Sequence, residues 1–279
     1  MKLIRFGEEG VERPGIELPD GERRDLSGFG EDYDERFFRS DGVRRLAQWL
    51  LGNLGSAPIV PPSVRLGAPI CRPSKIVCIG LNYQEHVEET KARTMAEPVL
   101  FLKATSALCG PYDNLQIPPD STRTDYEVEL AVIIGKRAKH VLETESLSHV
   151  AGYAVMCDYS ERHYQKERSG QWTKGKSYDS FAPLGPWLVT ADEVADPQNL
   201  TLQSRVNGEC RQNSSTSQMI FPVSFLISYI SQFMTLLPGD IISTGTPSGV
   251  GLADGRFLKP GDVVELSIEG LGTSRQVAV

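Results

Sequence analysis

Three groups of side chains in this 279-residue chain have types and spacings that could do chemistry. In Asp125-Tyr-Glu127-Val-Glu129-Leu-Ala-Val, strand alternation places Glu127 and Glu129 on one face, ~7 Å apart along the strand. Two like charges so close raise each other's proton affinity unless a cation lies between them. A hard divalent ion with oxygen ligands would resolve the repulsion; a solvated strand end paired with lysines is the alternative. Asp158 follows the apolar run Ala151–Cys157 and adds a third carboxylate, although an aspartate there can also be an N-cap. Three carboxylates at two strand mouths suit Mg²⁺ or Mn²⁺, one ion per subunit.

The second group is Tyr83-Gln-Glu-His86-Val-Glu-Glu89, a helical stretch after a strand and a glycine turn. Its His86 and Glu89 are i and i+3 and therefore neighbours. A carboxylate there fixes the imidazole tautomer and leaves the other ring nitrogen as a base; an exposed acidic helix with a stray histidine is the plainer reading. The third group is anion-binding. Lys174 and Lys176 flank Gly175, and an ammonium binds a carboxylate as a point charge. Arg162 and Gln165 share a helix face. Ser243-Thr-Gly-Thr246-Pro-Ser-Gly-Val-Gly251 lacks both phosphate-loop and dinucleotide spacing, but its amides and the Thr246 hydroxyl could line a pocket for an anion.

The elements that must position these residues are mostly strands. Ile76–Gly80, Pro98–Lys103, Glu127–Gly135, Val150–Cys157, Trp187–Thr190, Leu200–Val206, Ile241–Thr244 and Val263–Ile268 are short and rich in β-branched or aromatic residues. Asn207-Gly208 marks a hairpin. Helices are expected over Tyr83–Arg93, Ser160–Arg168 and Phe221–Leu236. This is no regular βαβ alternation, so the expectation is an α+β, mostly β fold: a mixed roll or sandwich with a few covering helices. Residues 1–69, which end in a proline-rich stretch, read as a small N-terminal α/β domain, and 70–279 as the catalytic domain. Net charge of -7 argues against nucleic acid. Five cysteines without a C-x-x-C pair argue against a disulfide framework and for a reducing, cytoplasmic setting. The charge-free stretch Met219–Gly239 carries serines on one helical face and reads as a buried helix, not a membrane span.

Ile79-Gly-Leu-Asn-Tyr-x-x-His86-x-x-Glu89, Asp125-x-Glu127-x-Glu129, Asp158-x-x-x-Arg162-x-x-Gln165, Gly175-Lys176-Ser177 and Thr244-Gly-Thr-Pro-x-Gly-Val-Gly251 occur in that order. In this the chain resembles the fumarylacetoacetate hydrolase superfamily, strongly over about residues 70–279. Gly170-Gln-Trp-Thr-Lys-Gly-Lys and Gly185-Pro-Trp-Leu-Val-Thr-Ala-Asp-Glu are similar to a branch described as 2,4-diketo-3-deoxy-L-fuconate hydrolases or ureidoglycolate lyases. The resemblance implies a β-roll, metal ligands Glu127, Glu129 and Asp158, and the acid–base pair His86 and Glu89. It also implies Lys176 as catalytic and substrate-binding, with Arg162, Gln165 and Thr246 as further substrate anchors. The implied reaction is metal-dependent hydrolysis of a carbon–carbon bond in a 2,4-dioxo acid, giving pyruvate through an enolate. A homodimer acting on a small anionic 2-oxo acid is implied too. The same enolate chemistry would serve oxaloacetate decarboxylation, isomerisation or ureidoglycolate cleavage, and a non-catalytic acid-binding protein is a further alternative. Three departures stand out: His163 where the family usually has aspartate, Cys157-Asp158-Tyr159, and a polar Thr90–Glu97. The last leads to the expectation that Glu85–Pro98 is a lid, with His86 held away from the carboxylates until substrate binds.

Overall fold

The computed structural model describes residues 1–93 and 95–279. Its centre is a mixed sheet of eleven strands. Across it the order is Ile59–Val60, Arg23–Asp25, Arg13–Glu17, Lys2–Phe6, Leu188–Thr190, Val150–Cys157, Val128–Ile134, Ile241–Ser243, Ile76–Gly80 and Val99–Lys103. Leu66–Gly67 pairs beside Lys2–Phe6. Leu3 lies opposite Leu188 in an antiparallel pair, so the first residues of the chain extend the sheet built by the later ones. A second, antiparallel sheet of four strands, in the order Glu209–Ser215, Thr201–Val206, Val263–Ile268 and Gly272–Val277, lies against the two central strands of the first.

The sequence patterns explain this layering. Every residue of Val128–Ile134 is buried, as a near-continuous apolar run requires of a strand covered on both faces; Glu129 is the polar interruption. Val263–Ile268 instead alternates between buried and partly exposed positions, because one face looks outward. Asn207 and Gly208 both take positive φ, 52° and 80°, the geometry of a two-residue hairpin turn. The α+β, strand-rich expectation is met, with strand ends differing by a residue or two.

The helices are shorter than expected, for local reasons. The first catalytic-region helix spans Gln84–Glu89. It stops where the Thr90 amide and hydroxyl both turn back to the His86 carbonyl and Lys91 adopts φ 52°. The second spans Arg162–Lys166, because Ser160–Glu161 is diverted into a strand pair with Thr124–Asp125. Helix Val223–Phe233 buries Val223, Leu226, Ile227 and Ile230 and leaves Phe221, Phe225, Tyr229 and Phe233 in a continuous ring contact on its other side. Among the described residues no helix is long and apolar enough to cross a membrane. The expected lid, Glu85–Pro98, includes Thr94, which lies outside the described residues.

Leu130 sits fully buried in the central strand. Leu130→Ala should cost about 2–5 kcal/mol, the range for large-to-small core changes. Urea unfolding should therefore show a lowered midpoint with an unchanged slope.

Candidate active site

Register creates the site. Val128 pairs with Cys157 in the antiparallel ladder, and one step further out the Asp158 amide donates to the Glu127 carbonyl at 3.0 Å. Glu127 and Asp158 are thus opposite each other, with side chains on one face, and Glu129 shares that face through the period of two. One ligand atom from each of the three acids lies within 4.8 Å of the others. Asp158 is no N-cap: Glu161 takes that place before Arg162–Lys166.

These acids are buried, so their charges need partners. The Lys176 ammonium donates to Glu127 at 2.6 Å and to Asp158 at 2.8 Å. Lys103, itself buried, donates to Asp158 and to the Tyr159 carbonyl. The Arg162 guanidinium reaches Asp125 through Nε at 2.8 Å, Glu127 through Nη2 at 2.6 Å and Gln165 through Nη1 at 3.0 Å. Burial raises the Glu127 carboxyl, but Arg162 and Lys176, then His86, outweigh it and hold the group well below the usual carboxylate range. Glu129 differs. Among the described residues its hydrogen bonds come from neutral donors, the Ser243 hydroxyl at 2.5 Å and the Gly245 amide at 2.9 Å. Burial, then Asp158 and Glu127, push it well above the usual range.

Four acids (Asp125, Glu127, Glu129, Asp158) therefore face three cations (Lys103, Lys176, Arg162), and the uncompensated charge falls on Glu129. An all-oxygen donor set with surplus negative charge is what a hard divalent ion requires. The residues present fit Mg²⁺ or Mn²⁺.

His86, with Glu89 beside it, faces the same space. His86 Nδ1 lies 2.8 Å from Glu89 Oε1, and His86 is 7% exposed, so it is no stray surface histidine. Glu89 also accepts the Gly249 amide at 2.9 Å, and Glu85 accepts the Ser248 hydroxyl. The open, displaced histidine expected from a lid is not what the chain adopts. Its helix is pinned to the loop after Ser243, and His86 lines one cavity of about 170 Å³ with Glu127, Glu129, Arg162 and Lys176.

Two close approaches hold this arrangement. Gly245 has φ 99°, a backbone that L side chains rarely adopt, and a Cβ there would lie 2.7 Å from that of Asn82. A Cβ on Gly175 would lie 2.5 Å from the Gln165 amide nitrogen. Glycine there lets the turn Thr173–Lys176 seat against Arg162–Lys166 and aim Lys176 inward. The Thr246 hydroxyl, expected to meet substrate, donates to the Val128 carbonyl and accepts from Gln212. Thr246 borders the cavity with its polar atom already engaged.

Sequence reasoning missed Lys103, Asp125 as the partner of Arg162, Ser243 and Gln212. Asp125 was within reach, since alternation puts it on the face of Glu127 and Glu129. Lys103 carried the signal of a lysine closing an otherwise apolar strand.

Comparison with known proteins agrees with the geometry. Residues 75–279 match the family described as fumarylacetoacetate (FAA) hydrolase C-terminal. A 2,4-didehydro-3-deoxy-L-rhamnonate hydrolase of Sphingomonas sp. (strain SKA58) is 48% identical, over 99% of this chain and 95% of its own. The fumarylacetoacetate hydrolase structure from Exiguobacterium antarcticum superposes with a TM-score of 0.85 at 36% identity, covering 100% of this chain and 99% of that one. Maleylpyruvate hydrolase from Sphingobium sp. SYK-6, in complex with manganese(II) and pyruvate, gives 0.83 at 31% identity with the same coverage.

The surplus charge on Glu129 gives a test. A buried carboxyl with a raised pKa contributes stability below its unfolded-state value, lost as pH rises through the folded-state value. In chelator at neutral and alkaline pH, Glu129→Gln should therefore be the more stable protein, by about 1–4 kcal/mol. Saturating Mg²⁺ or Mn²⁺ should stabilise the wild type and leave the variant nearly unchanged. Thermal melts with and without the ion read both effects.

Proposed function

The chain belongs to the fumarylacetoacetate hydrolase family, and from that premise we propose that it hydrolyses a carbon–carbon bond in a 2,4-dioxo acid. The substrate is an acylpyruvate or a 2,4-dioxo-3-deoxy sugar acid; water's hydroxyl ends on C4, a proton on C3, and the products are pyruvate and a shorter carboxylic acid. The observation that carries this reading is the meeting of His86, held by Glu89, with Glu127 and Glu129 of the three-carboxylate cluster in one small cavity. The rhamnonate hydrolase relative supports a sugar-acid substrate, and the pyruvate-bound neighbour supports pyruvate as the released fragment.

In the proposed roles His86 is the base. With Nδ1 donating to Glu89, Nε2 is left to take a proton from the water that attacks C4. Glu89 fixes the ring because its second oxygen is anchored by Gly249. Lys176 has spent two of its three N–H groups on Glu127 and Asp158, and the third is free for the substrate's anionic oxygen. Arg162 and Gln165 act mainly by holding each other and Glu127, while Thr246 shapes the wall. A divalent ion, Mg²⁺ or Mn²⁺, held by Glu127, Glu129 and Asp158, supplies Lewis-acid stabilisation of the charge left on the departing pyruvate fragment. Burial of the cavity floor excludes bulk water from that charge.

We place the working form in the cytoplasm as a homodimer. The ring run Phe221, Phe225, Tyr229 and Phe233 offers an aromatic face of the kind enriched at subunit contacts.

The reading is tested by offering acylpyruvates, 2,4-dioxo-3-deoxy sugar acids, oxaloacetate and ureidoglycolate to the enzyme and following pyruvate release. Turnover should be confined to the 2,4-dioxo acids and vanish in chelator. His86→Ala should lower kcat by ~10²–10⁴-fold, the range for a lost general base; full activity in the metal-stripped enzyme would overturn the metal assignment. Light scattering should give twice the 30.7 kDa chain mass.

A further inference from the structure

We infer that Lys166 selects the acyl end of the substrate by binding an oxygen-bearing group, a hydroxyl or a carboxylate, beyond the scissile carbonyl. The inference rests on the acylpyruvate reading above and adds the chemistry of the fragment that reading leaves open.

The cations deeper in the site are already committed. Arg162 serves Asp125, Glu127 and Gln165, Lys176 serves Glu127 and Asp158, and Lys103 serves Asp158 and the Tyr159 carbonyl. Lys166 is different. It closes the helix Arg162–Lys166, four residues after Arg162 and so on the same side of it. It borders the cavity and is exposed, yet makes no hydrogen bond or ion pair among the described residues. Desolvation and then the nearby Arg162 charge hold its ammonium below the ordinary lysine range, against the pull of Glu127 and with a smaller push from Lys176. An ammonium beside like charges is relieved by an acceptor oxygen, and none among the described residues hydrogen-bonds it.

Position says where that oxygen would come from. The carboxylates and Lys176 form the floor, where the 2-oxo acid end belongs, and His86 stands over the carbonyl that water attacks. The same cavity is lined by the apolar Trp172 and Leu252 together with Lys166, while the Phe101 ring lies 5.0 Å from the Lys176 ammonium at the floor. A point-charge donor there discriminates because only an acyl group bearing the oxygen gains the charge-assisted contact.

Binding tests this without turnover. Three five-carbon 2-oxo acids that lack the 4-oxo group, and so cannot be hydrolysed, differ only at the far end: 2-oxopentanoate, 5-hydroxy-2-oxopentanoate and 2-oxoglutarate. Titrated into the Mg²⁺-loaded wild type, at least one oxygenated acid should bind about tenfold more tightly than 2-oxopentanoate. Lys166→Met should erase that margin and leave 2-oxopentanoate affinity unchanged. A lead for 2-oxoglutarate assigns a distal carboxylate, and a lead for the hydroxy acid assigns a hydroxyl. Equal affinities in the wild type, or a margin that survives in Lys166→Met, would overturn the assignment. Pyruvate release from acylpyruvates by the wild type judges the hydrolase reading separately, so the two can fail independently.

Discussion

Three carboxylates held side by side in a buried position are the constraint around which the rest of the molecule is arranged. Antiparallel pairing forces Glu127 against Asp158 and the period of two adds Glu129, a juxtaposition that would be destabilising if left bare. The surroundings answer it in parts. Lys103 arrives from the edge strand, Lys176 from a turn that only glycine permits at 175, and Arg162 from a short helix whose start is fixed by a detour of Ser160–Glu161. Each cation comes from a different element, so the charge balance is a tertiary property. None of it exists in any single stretch of chain.

The compensation is also deliberately incomplete in its effect. Glu127 is held strongly anionic by its neighbours, whereas the hydrogen bonds to Glu129 among the described residues come from a hydroxyl and an amide. Such a donor set fits an external cation, and a divalent ion held there would remove the deficit. A buried polar cluster of this kind contributes little to stability by itself. Its arrangement is explained by chemistry, not by folding.

Much of this was legible in the residues. Period-two alternation gave Glu127 and Glu129 a common face, an apolar strand ending in Asp158 gave the third acid, and i,i+3 spacing joined His86 to Glu89; all three features are present. The strand-rich architecture followed from short β-branched runs. What stayed hidden depends on distance along the chain. Nothing local in Val99–Lys103 says that its last side chain meets Asp158, 55 residues on. Polar composition in Thr90–Glu97 suggested a loose lid carrying His86, but the helix Gln84–Glu89 is tethered by the Glu89 carboxylate, which accepts the Gly249 amide 160 residues away. Helix ends were misjudged for a similar reason, since Ser160–Glu161 left the helix to pair with a distant strand. Thr246 was correctly placed at the cavity, while its hydroxyl's commitment to Val128 and Gln212 could not be inferred without coordinates.

The loop after Ser243 has a reach that its length conceals. Through the amides of Gly245, Gly249 and Gly251 it holds Glu129, Glu89 and Asp125 in turn. One strap therefore sets a member of the carboxylate cluster, the partner of His86 and the partner of the Arg162 guanidinium, using its backbone amides for all three. For an engineer this divides the catalytic cavity into two provinces. The strap tolerates neither insertion nor bulk, because a shift of one amide would detune all three acids together. Phe101, Lys166 and Trp172, which line the same cavity, hang on other elements, whereas Leu252 continues the strap and its amide also holds Asp125.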